Sequence, residues 1–469
     1  MVFSSVVFLF TFLPAALLLY YASPRRGKNA ALLLISLLFY AWGEPVYIVL
    51  LLFSAVTDYV NGLLIERFRG RTALQRLTLI FSLAVNVGVL CFFKYADFLI
   101  DSLNGAFGTS IAPLDLPLPI GISFYTFQTM SYTIDVYRGR CKAQRSFIDF
   151  AAFVSMFPQL VAGPIVRYDE VEKQLSERSI SLEQIGYGVR RFIIGLGKKV
   201  LLANNIGMLW DMSRSGIDDL TTAGAWIGII AFAFQIYFDF SGYSDMAIGL
   251  GSMLGFRFPE NFNYPYISAS ASEFWRRWHM TLGAWFRDYV YFPLGGSRTS
   301  KPRLVLNLFV VWFLTGLWHG ASWNFILWGL YFGLLIGLEK LFLGPWLERL
   351  WRPVRHAYLI AAALFGWVLF GLDDIASIAN YIGTMLGLGD SVLLSGTDMY
   401  NLRNYGLLLV ILVISATPLA ARVGALLQRR PALQAAVSVA DYALLAGMLF
   451  ASTAYLIDGT YNPFLYFRF

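Results

Sequence analysis

Histidine side chains are the first residues in this sequence that could carry chemistry near neutral pH. The chain contains three of them, His279, His319 and His356. His319 lies in the stretch Leu314-Thr315-Gly316-Leu317-Trp318-His319-Gly320, inside an apolar run from Leu304 to Phe342. An imidazole within a membrane span is costly and usually has a function. His319 is therefore the first candidate for a general base, and a buried, hydrogen-bonded structural histidine is the alternative.

A second histidine lies upstream in a stretch rich in arginine and tryptophan. His279 directly follows Arg276, Arg277 and Trp278, and Arg287 comes eight residues later. Guanidinium groups suit phosphates well, so this segment could bind an anionic ligand from the cytosol. The alternative is a set of ordinary basic residues beside lipid headgroups, with His279 solvated among them.

Carboxylates interrupt a third apolar stretch. Asp239 lies in Tyr237-Phe238-Asp239-Phe240-Ser241-Gly242-Tyr243-Ser244-Asp245, and we expect a hairpin of two helices, Gly224 to Phe238 and Ser241 to Leu254, around it. Carboxylates inside an apolar hairpin are expensive unless they are paired. Asp239 therefore either bonds to arginine or backbone groups, or orients a histidine.

The sequence carries none of the common metal-binding or nucleotide-binding patterns. It has no H-E-x-x-H, no cysteine cluster, no G-x-x-x-x-G-K-[ST] and no G-x-G-x-x-G. Cys91 and Cys141 lack the spacing of a metal site. The net charge of +7 fits basic cytoplasmic loops better than nucleic-acid binding. We expect no bound metal, no permanently bound cofactor and no nucleic-acid partner.

The elements that must position these residues are membrane helices. The chain has 469 residues, 58% of them hydrophobic and 14% charged, whereas soluble domains have about 25% charged residues. Apolar runs of the length that a bilayer requires predict an all-α polytopic membrane protein with about 11–12 transmembrane helices in contact with lipid. Basic loops near residues 25–28, 67–76 and 138–145 fall on one side, which predicts that both termini lie outside.

Three segments do not fit simple spans. Phe147 to Val166 is broken by Pro158 and Pro164 and is predicted to be re-entrant. Leu182 to Ala203 mixes apolar with basic residues and is predicted to be an amphipathic or interfacial helix. Glu273 to Val290 shows apolar residues at steps of three and four, which predicts one in-plane amphipathic helix.

Three ordered motifs together resemble the membrane-bound O-acyltransferase family. They are Asp239-Phe240-Ser241-Gly242-Tyr243-Ser244-Asp245-Met246-Ala247-Ile248-Gly249, Glu273-Phe274-Trp275-Arg276-Arg277-Trp278-His279 and Gly316-Leu317-Trp318-His319-Gly320. The resemblance covers most of the chain. It is greatest to the bacterial subgroup that O-acetylates alginate, cellulose or peptidoglycan.

The resemblance implies one membrane-embedded domain, residues 1–469, with helices around a central funnel. It implies that His319 is the catalytic histidine, that His279 is a second functional histidine, and that the acyl donor is acetyl-CoA. The residues expected to bind the donor are Arg276, Arg277, Trp278, Arg287, Trp318 and Asp239.

The resemblance also implies what happens to the acetyl group. It would cross the bacterial inner membrane for O-acetylation of an exopolysaccharide, with a separate periplasmic O-acetyltransferase as partner. Residues 464–469 are similar to an aromatic C-terminal motif of this subgroup, in which Tyr466 would be an acyl relay activated by His319; a simple packing motif is the alternative. The motifs do not distinguish alginate, cellulose and peptidoglycan as the acceptor.

Two other functions stay open from the sequence. One is a D-alanyl transferase of the same superfamily, which would need a carrier-protein donor. The other is a non-catalytic transporter of polysaccharide or lipid, because broken helices and a midplane cavity also suit transport.

Overall fold

The computed structural model describes residues 1–388, 391–459 and 465, and this part of the chain is helical without any strand. It divides into two compact units, and each unit is assembled from two stretches of chain. The first unit comprises Met1–Phe192 and Tyr243–Pro259, and the second comprises Ile193–Gly242 and Glu260–Phe469. The single domain expected from the resemblance stays a prediction.

The first unit is built from helices that are mostly close in sequence. Its helices are Phe8–Phe12 (π), Leu13–Ala22, Arg25–Gly27 (3-10), Lys28–Gly43, Ile48–Arg67, Thr72–Phe107, Ile122–Arg138, Phe147–Ser155, Phe157–Leu160 and Tyr168–Ser176. The helices Leu182–Gly197 and Thr222–Met253 each contribute residues to both units.

The second unit contains both histidine motifs. Its helices are Lys198–Ala203 (π), Asn204–Ser215, Ile217–Asp219 (3-10), Pro265–Ile267 (3-10), Ala271–Trp275, Met280–Phe286, Arg287–Tyr291 (π), Lys301–His319, Trp323–Leu338, Glu339–Leu343 (π), Gly344–Arg349, Arg352–Gly371, Ile375–Met385, Gly396–Ser415, Leu419–Gln428 and Pro431–Asp458.

The described residues include seven helices that are long and apolar enough to cross a membrane. They are Ile48–Arg67, Thr72–Phe107, Leu182–Ser215, Thr222–Met253, Trp323–Arg349, Arg352–Gly371 and Pro431–Asp458. The pair Gly396–Ser415 and Leu419–Gln428, bent by 66°, would make eight if it is one broken span. The chain is thus an all-α, multi-pass membrane protein. The number is lower than predicted because several predicted spans form shorter helices, such as Lys28–Gly43 with 16 residues and Ile122–Arg138 with 17.

The hairpin predicted around Asp239 is wrong, because Thr222–Met253 is one continuous helix. Asp239 lies in its middle, and its carboxylate is 2.6 Å from the Lys199 ammonium. Pairing with a buried cation offsets the cost of burying the carboxylate, so the helix does not need to end there.

The basic segment predicted to be interfacial also differs. Leu182–Ser215 forms one helical run of 34 residues that could cross a membrane, and Lys199 within it is only 2% exposed. Its basic residues were interpreted as facing water or headgroups. The ion pair with Asp239 explains how one of them lies in the interior instead.

The segment predicted as one in-plane helix is broken at His279. Ala271–Trp275 ends before it and Met280–Phe286 begins after it, while His279 has a φ of 43°. This left-handed conformation is costly for a residue with a Cβ. The break turns the imidazole out of the regular helical pattern, so the predicted common face does not form.

The helix that ends at His319 packs closely against the next one. A methyl group added at Gly316 would lie 2.5 Å from the carbonyl oxygen of Phe325, and one at Gly329 would lie 2.3 Å from that of Trp312. Only glycine permits this approach of two backbones. The crossing fixes the end of the Lys301–His319 helix against Trp323–Leu338.

Candidate functional site

Aromatic side chains surround the end of the Lys301–His319 helix in the second unit. Many are deeply buried and contact one another edge to face, an arrangement that favours a fixed packing geometry. The principal members are Phe274, Trp275, Trp278, Trp312, Trp318, Trp328, Phe332, Trp367 and Phe370.

His319 is the last residue of its helix and is 7% exposed. Its ring contacts Trp328 and Phe370 edge to face, at centroid distances of 4.9 and 5.4 Å. The rings hold the imidazole in one orientation within a largely apolar surrounding. A fixed imidazole of this kind can move a proton at a defined position.

Trp318 joins the two histidine motifs. Its indole centroid is 5.1 Å from the ring of His319 and 5.9 Å from the ring of His279. Residues that are about 40 positions apart in sequence therefore contact the same side chain. The structure brings His279, Trp318 and His319 into one site.

His279 is buried at 2% exposure and is held by Asn261. Its Nδ1 lies 3.0 Å from Oδ1 of Asn261, and the Phe240 ring lies against it at 4.7 Å. Burial lowers the pKa of His279 to about 3, so the ring is neutral at physiological pH. Its Nε2 is buried and makes no hydrogen bond to any described residue.

A cavity of about 710 Å³ extends from His279 along the Lys301–His319 helix as far as Thr315. Of the residues predicted to bind the donor, Arg276, Trp278 and Arg287 line this cavity, whereas Trp318 and Asp239 do not; the donor-binding role of all five stays a prediction. Four basic and two acidic side chains line it in all: Arg276, Arg287, Lys340, Arg355, Glu339 and Glu348. Its size is within the range of ligand-binding pockets, and its charge favours an anionic ligand.

Arg277 does not line this cavity, although it is adjacent to Arg276. Its guanidinium is 2.9 Å from the Glu273 carboxylate and donates to the carbonyl oxygen of Asn263. These contacts tie Arg277 to the loop before the His279 segment. Its role in donor binding stays a prediction.

Asp239 binds Lys199 and the C-terminal end of the chain. Its Oδ2 accepts a hydrogen bond of 3.0 Å from the main-chain N–H of Leu465. Tyr466, the predicted acyl relay, and the rest of the aromatic motif 464–469 apart from Leu465 lie outside the described residues.

Sequence analysis did not single out two residues of the site, Asn261 and Glu339. Asn261 gives no sequence signal, because it lies in an irregular segment among other polar residues. Glu339 is 5% exposed at the end of an apolar helix, and its carboxylate accepts the main-chain N–H groups of Ala271 and Ser272 at 2.7 and 2.9 Å. The rule that selected His319, a costly polar group in an apolar run, would also have found Glu339.

No group of three or more histidine, cysteine or acidic side chains in the described part of the chain could hold a metal ion.

Residues 141–370 match the family model described as MBOAT, membrane-bound O-acyltransferase family. This range includes both histidine motifs, Asn261 and every residue that lines the cavity.

Known proteins are similar over most of the chain. A probable alginate O-acetylase of Azotobacter vinelandii is 44% identical over 88% of this chain and 84% of its own length. A peptidoglycan O-acetyltransferase of Helicobacter pylori is 35% identical over 83% of this chain and 80% of its own. A teichoic acid D-alanyltransferase of Bacillus subtilis is 30% identical over 54% of this chain and 67% of its own.

Proposed function

Because the chain belongs to the membrane-bound O-acyltransferase family, we propose that it moves an acetyl group from cytosolic acetyl-CoA across a bacterial inner membrane to an exopolysaccharide. The chain is an O-acyltransferase. The extent of similarity to an alginate O-acetylase and a peptidoglycan O-acetyltransferase supports acetyl as the group and a polysaccharide as the acceptor. The observation that carries the proposal is that two buried histidines contact the same Trp318 ring and that one of them, His279, lines a basic cavity.

The basic cavity is the proposed donor site. Arg276 and Arg287 are exposed and line it, and Lys340 adds a third exposed cation. Phosphate groups of a CoA thioester would bind these cations, while its pantetheine arm, which carries two amides, follows the tryptophans towards His279. This orientation requires the cavity to open to the cytosol.

His319 is the proposed general base. It ends its helix, and a helix C-terminus stabilises the positive charge that an imidazole gains with a proton. The edge-to-face contacts with Trp328 and Phe370 keep the ring in place during the transfer.

Tyr466 is the proposed first acceptor. His319 would take the phenol proton, which is needed because a tyrosine pKa is about 10. The phenolate oxygen would attack the thioester carbonyl, a new C–O bond would form, the C–S bond would break, and the CoA thiolate would leave and take up the proton. The hydrogen bond of Leu465 to Asp239 supports an ordered position for the residue next to Tyr466.

The second transfer is proposed to occur outside the inner membrane. With both termini periplasmic, the acetyl-tyrosine would be offered to a separate periplasmic O-acetyltransferase. That partner would pass the acetyl group to an alginate-type or cellulose-type polymer, and other exopolysaccharide-modification proteins would complete the assembly.

Donor consumption by the purified protein in lipid vesicles tests the reaction class. We expect radiolabelled acetyl-CoA to be consumed and free CoA to be released, while a D-alanyl carrier protein is not used. Use of the D-alanyl donor would instead support the teichoic-acid type of activity, to which the chain is similar over about half its length. A protein that binds neither donor would support a transporter.

Mass spectrometry of the C-terminal peptide tests the relay. We expect an acetyl ester on Tyr466 after incubation with acetyl-CoA, and loss of polymer acetylation in Tyr466→Phe. An unlabelled Tyr466 together with full activity of Tyr466→Phe would contradict the relay and leave the donor reaction intact.

A further inference from the structure

Asn261 receives three hydrogen bonds on one side-chain oxygen. Its Oδ1 lies 3.0 Å from Nδ1 of His279, 3.3 Å from the main-chain nitrogen of Thr281 and 3.0 Å from Oγ1 of Thr281. The main-chain N–H of Thr281 can only donate, so the atom of Asn261 that faces it must be the oxygen. The orientation of the Asn261 amide therefore follows from its partners.

The same oxygen determines the tautomer of His279. A side-chain amide oxygen accepts hydrogen bonds and cannot donate them. Nδ1 of His279 must therefore carry the proton, and Nε2 must carry the lone pair. Since Nε2 is buried and has no hydrogen-bond partner among the described residues, this lone pair is available to a ligand.

The main chain of the Asn261 segment holds the backbone of His279 as well. The N–H of Met280 donates to the carbonyl oxygen of Asn261, and the N–H of Asn263 donates to that of Arg277, both at 2.9 Å. These two bonds flank His279, whose φ of 43° is unfavourable for a side chain with a Cβ. One short segment therefore fixes the conformation, the orientation and the tautomer of the histidine.

We propose that Asn261 is a positioning residue that keeps His279 in the Nδ1–H form, so that Nε2 accepts a hydrogen bond from an N–H or O–H group of the bound acyl donor or acceptor. This inference rests on the proposed transferase function. Asn261 would act through His279 and would not itself contact the substrate. The ligand group that binds Nε2 of His279 would be a hydrogen-bond donor, such as an amide N–H of the pantetheine arm. His279 lines the cavity where that arm would lie.

The surroundings of His279 make the inference testable through pH. Among the described residues, Phe240, Trp318 and Asn261 contact its ring, and none of these three titrates. The charged groups nearest in the chain that line the same cavity are Arg276 and Arg287. His319 is a titratable group that contacts the same Trp318 ring. A carboxylate in place of the Asn261 amide would accept the same three hydrogen bonds and would favour a charged imidazole.

The experiment compares Asn261→Asp, Asn261→Leu and Thr281→Val with the parent protein in the vesicle assay. For Asn261→Asp we expect an active enzyme whose acidic rate limb moves to higher pH by about 1–3 units, the usual effect of an adjacent carboxylate. For Asn261→Leu we expect a loss of about tenfold or more, as for other misplaced catalytic groups. Thr281→Val removes one donor to Asn261 without removing the bond to His279, and should stay within about threefold.

A pH profile of Asn261→Asp that coincides with that of the parent would overturn the inference. If the parent protein still consumes acetyl-CoA, the proposed function would stand. A double-mutant cycle covers the case in which Asn261→Asp does not accumulate. If Asn261 acts through His279, Asn261→Leu should have little further effect in a His279→Gln background. An equal loss in both backgrounds would contradict the role.

Discussion

The main-chain N–H of Leu465 donates a hydrogen bond of 3.0 Å to the Asp239 carboxylate. The other carboxylate oxygen is 2.6 Å from the Lys199 ammonium, and both charged side chains are at most 4% exposed. The neighbour of Asp239 in the chain, Phe240, packs on the ring of His279. One turn of the Thr222–Met253 helix therefore contacts both the C-terminal segment and the candidate site.

Removing only one charge of the Lys199–Asp239 pair should destabilise the protein strongly. For Asp239→Asn we expect a loss of about 3–5 kcal/mol, because a buried ammonium loses its partner. The surface pair Arg214–Asp373 is the control, and Asp373→Asn should cost less than about 1 kcal/mol. Thermal unfolding in detergent measures both.

Replacing both Lys199 and Asp239 distinguishes the contribution of the ion pair to stability from its contribution to positioning Leu465. The variant Lys199→Met with Asp239→Leu should regain most of the lost stability, because no unpaired charge stays buried. It still lacks the acceptor for Leu465, so acetyl labelling of Tyr466 should fall. Parental labelling in this double variant would show that the contact with Leu465 does not position the tail.

Arg276 and Arg277 are neighbours with different surroundings, which makes them a matched pair. Arg276→Gln removes a cation from the cavity and should raise the KM for acetyl-CoA by about tenfold, the range for one charge-assisted hydrogen bond. Arg277→Gln breaks the pair with Glu273 outside the cavity and should leave that KM within about twofold. Steady-state kinetics distinguishes them, and a KM raised equally by both changes would argue against this cavity as the donor site.

Glu339 should influence the site through the backbone of the Ala271–Trp275 helix. Glu339→Ala leaves two main-chain N–H groups without their acceptor, at a cost of about 1–3 kcal/mol each if they stay buried. We expect lower thermal stability and lower donor turnover, with Glu339→Gln nearer the parent because it keeps one carbonyl oxygen. Glu348→Ala, an exposed acid at the same cavity, is the control. Equal effects of Glu339→Ala and Glu348→Ala would contradict a specific role of the Glu339 carboxylate.

Gly316 should be intolerant of even a methyl group. Its added Cβ would meet the Phe325 carbonyl oxygen at 2.5 Å, so Gly316→Ala should cost about 1–3 kcal/mol through overpacking. At Gly337 the nearest atom to an added methyl is 4.0 Å away, and alanine should be neutral or stabilise by up to about 1 kcal/mol through helix propensity. Equal stability of the two variants in thermal unfolding would show that the helix crossing can relax.

The class of fold was predictable from the sequence for a physical reason. His319 and His279 were singled out because polar residues are rare and costly in apolar runs. The order of the motifs along the chain, which resembles that of a known family, then connected the two histidines. Whether either acts as proposed stays a prediction. The sequence could not show which charged residues form buried ion pairs, such as Lys199 with Asp239.

Local geometry was the other part that sequence reasoning missed. The left-handed φ of His279 depends on main-chain bonds to Asn261 and Asn263, which come from an adjacent irregular segment. A periodic pattern cannot indicate such a break, because residues on both sides of it are apolar. The Asn261 contact was missed for the same reason.

Donor turnover by two histidine variants tests the central claim most directly. His319→Ala should reduce the release of CoA from acetyl-CoA by about 10²–10⁴-fold, the usual contribution of a general base, while the protein still elutes as a folded species in detergent. His356→Ala is the matched control, because His356 bonds to the Ser268 carbonyl oxygen and is not one of the residues that meet at Trp318. It should turn over acetyl-CoA like the parent. Parental turnover by His319→Ala would contradict the account.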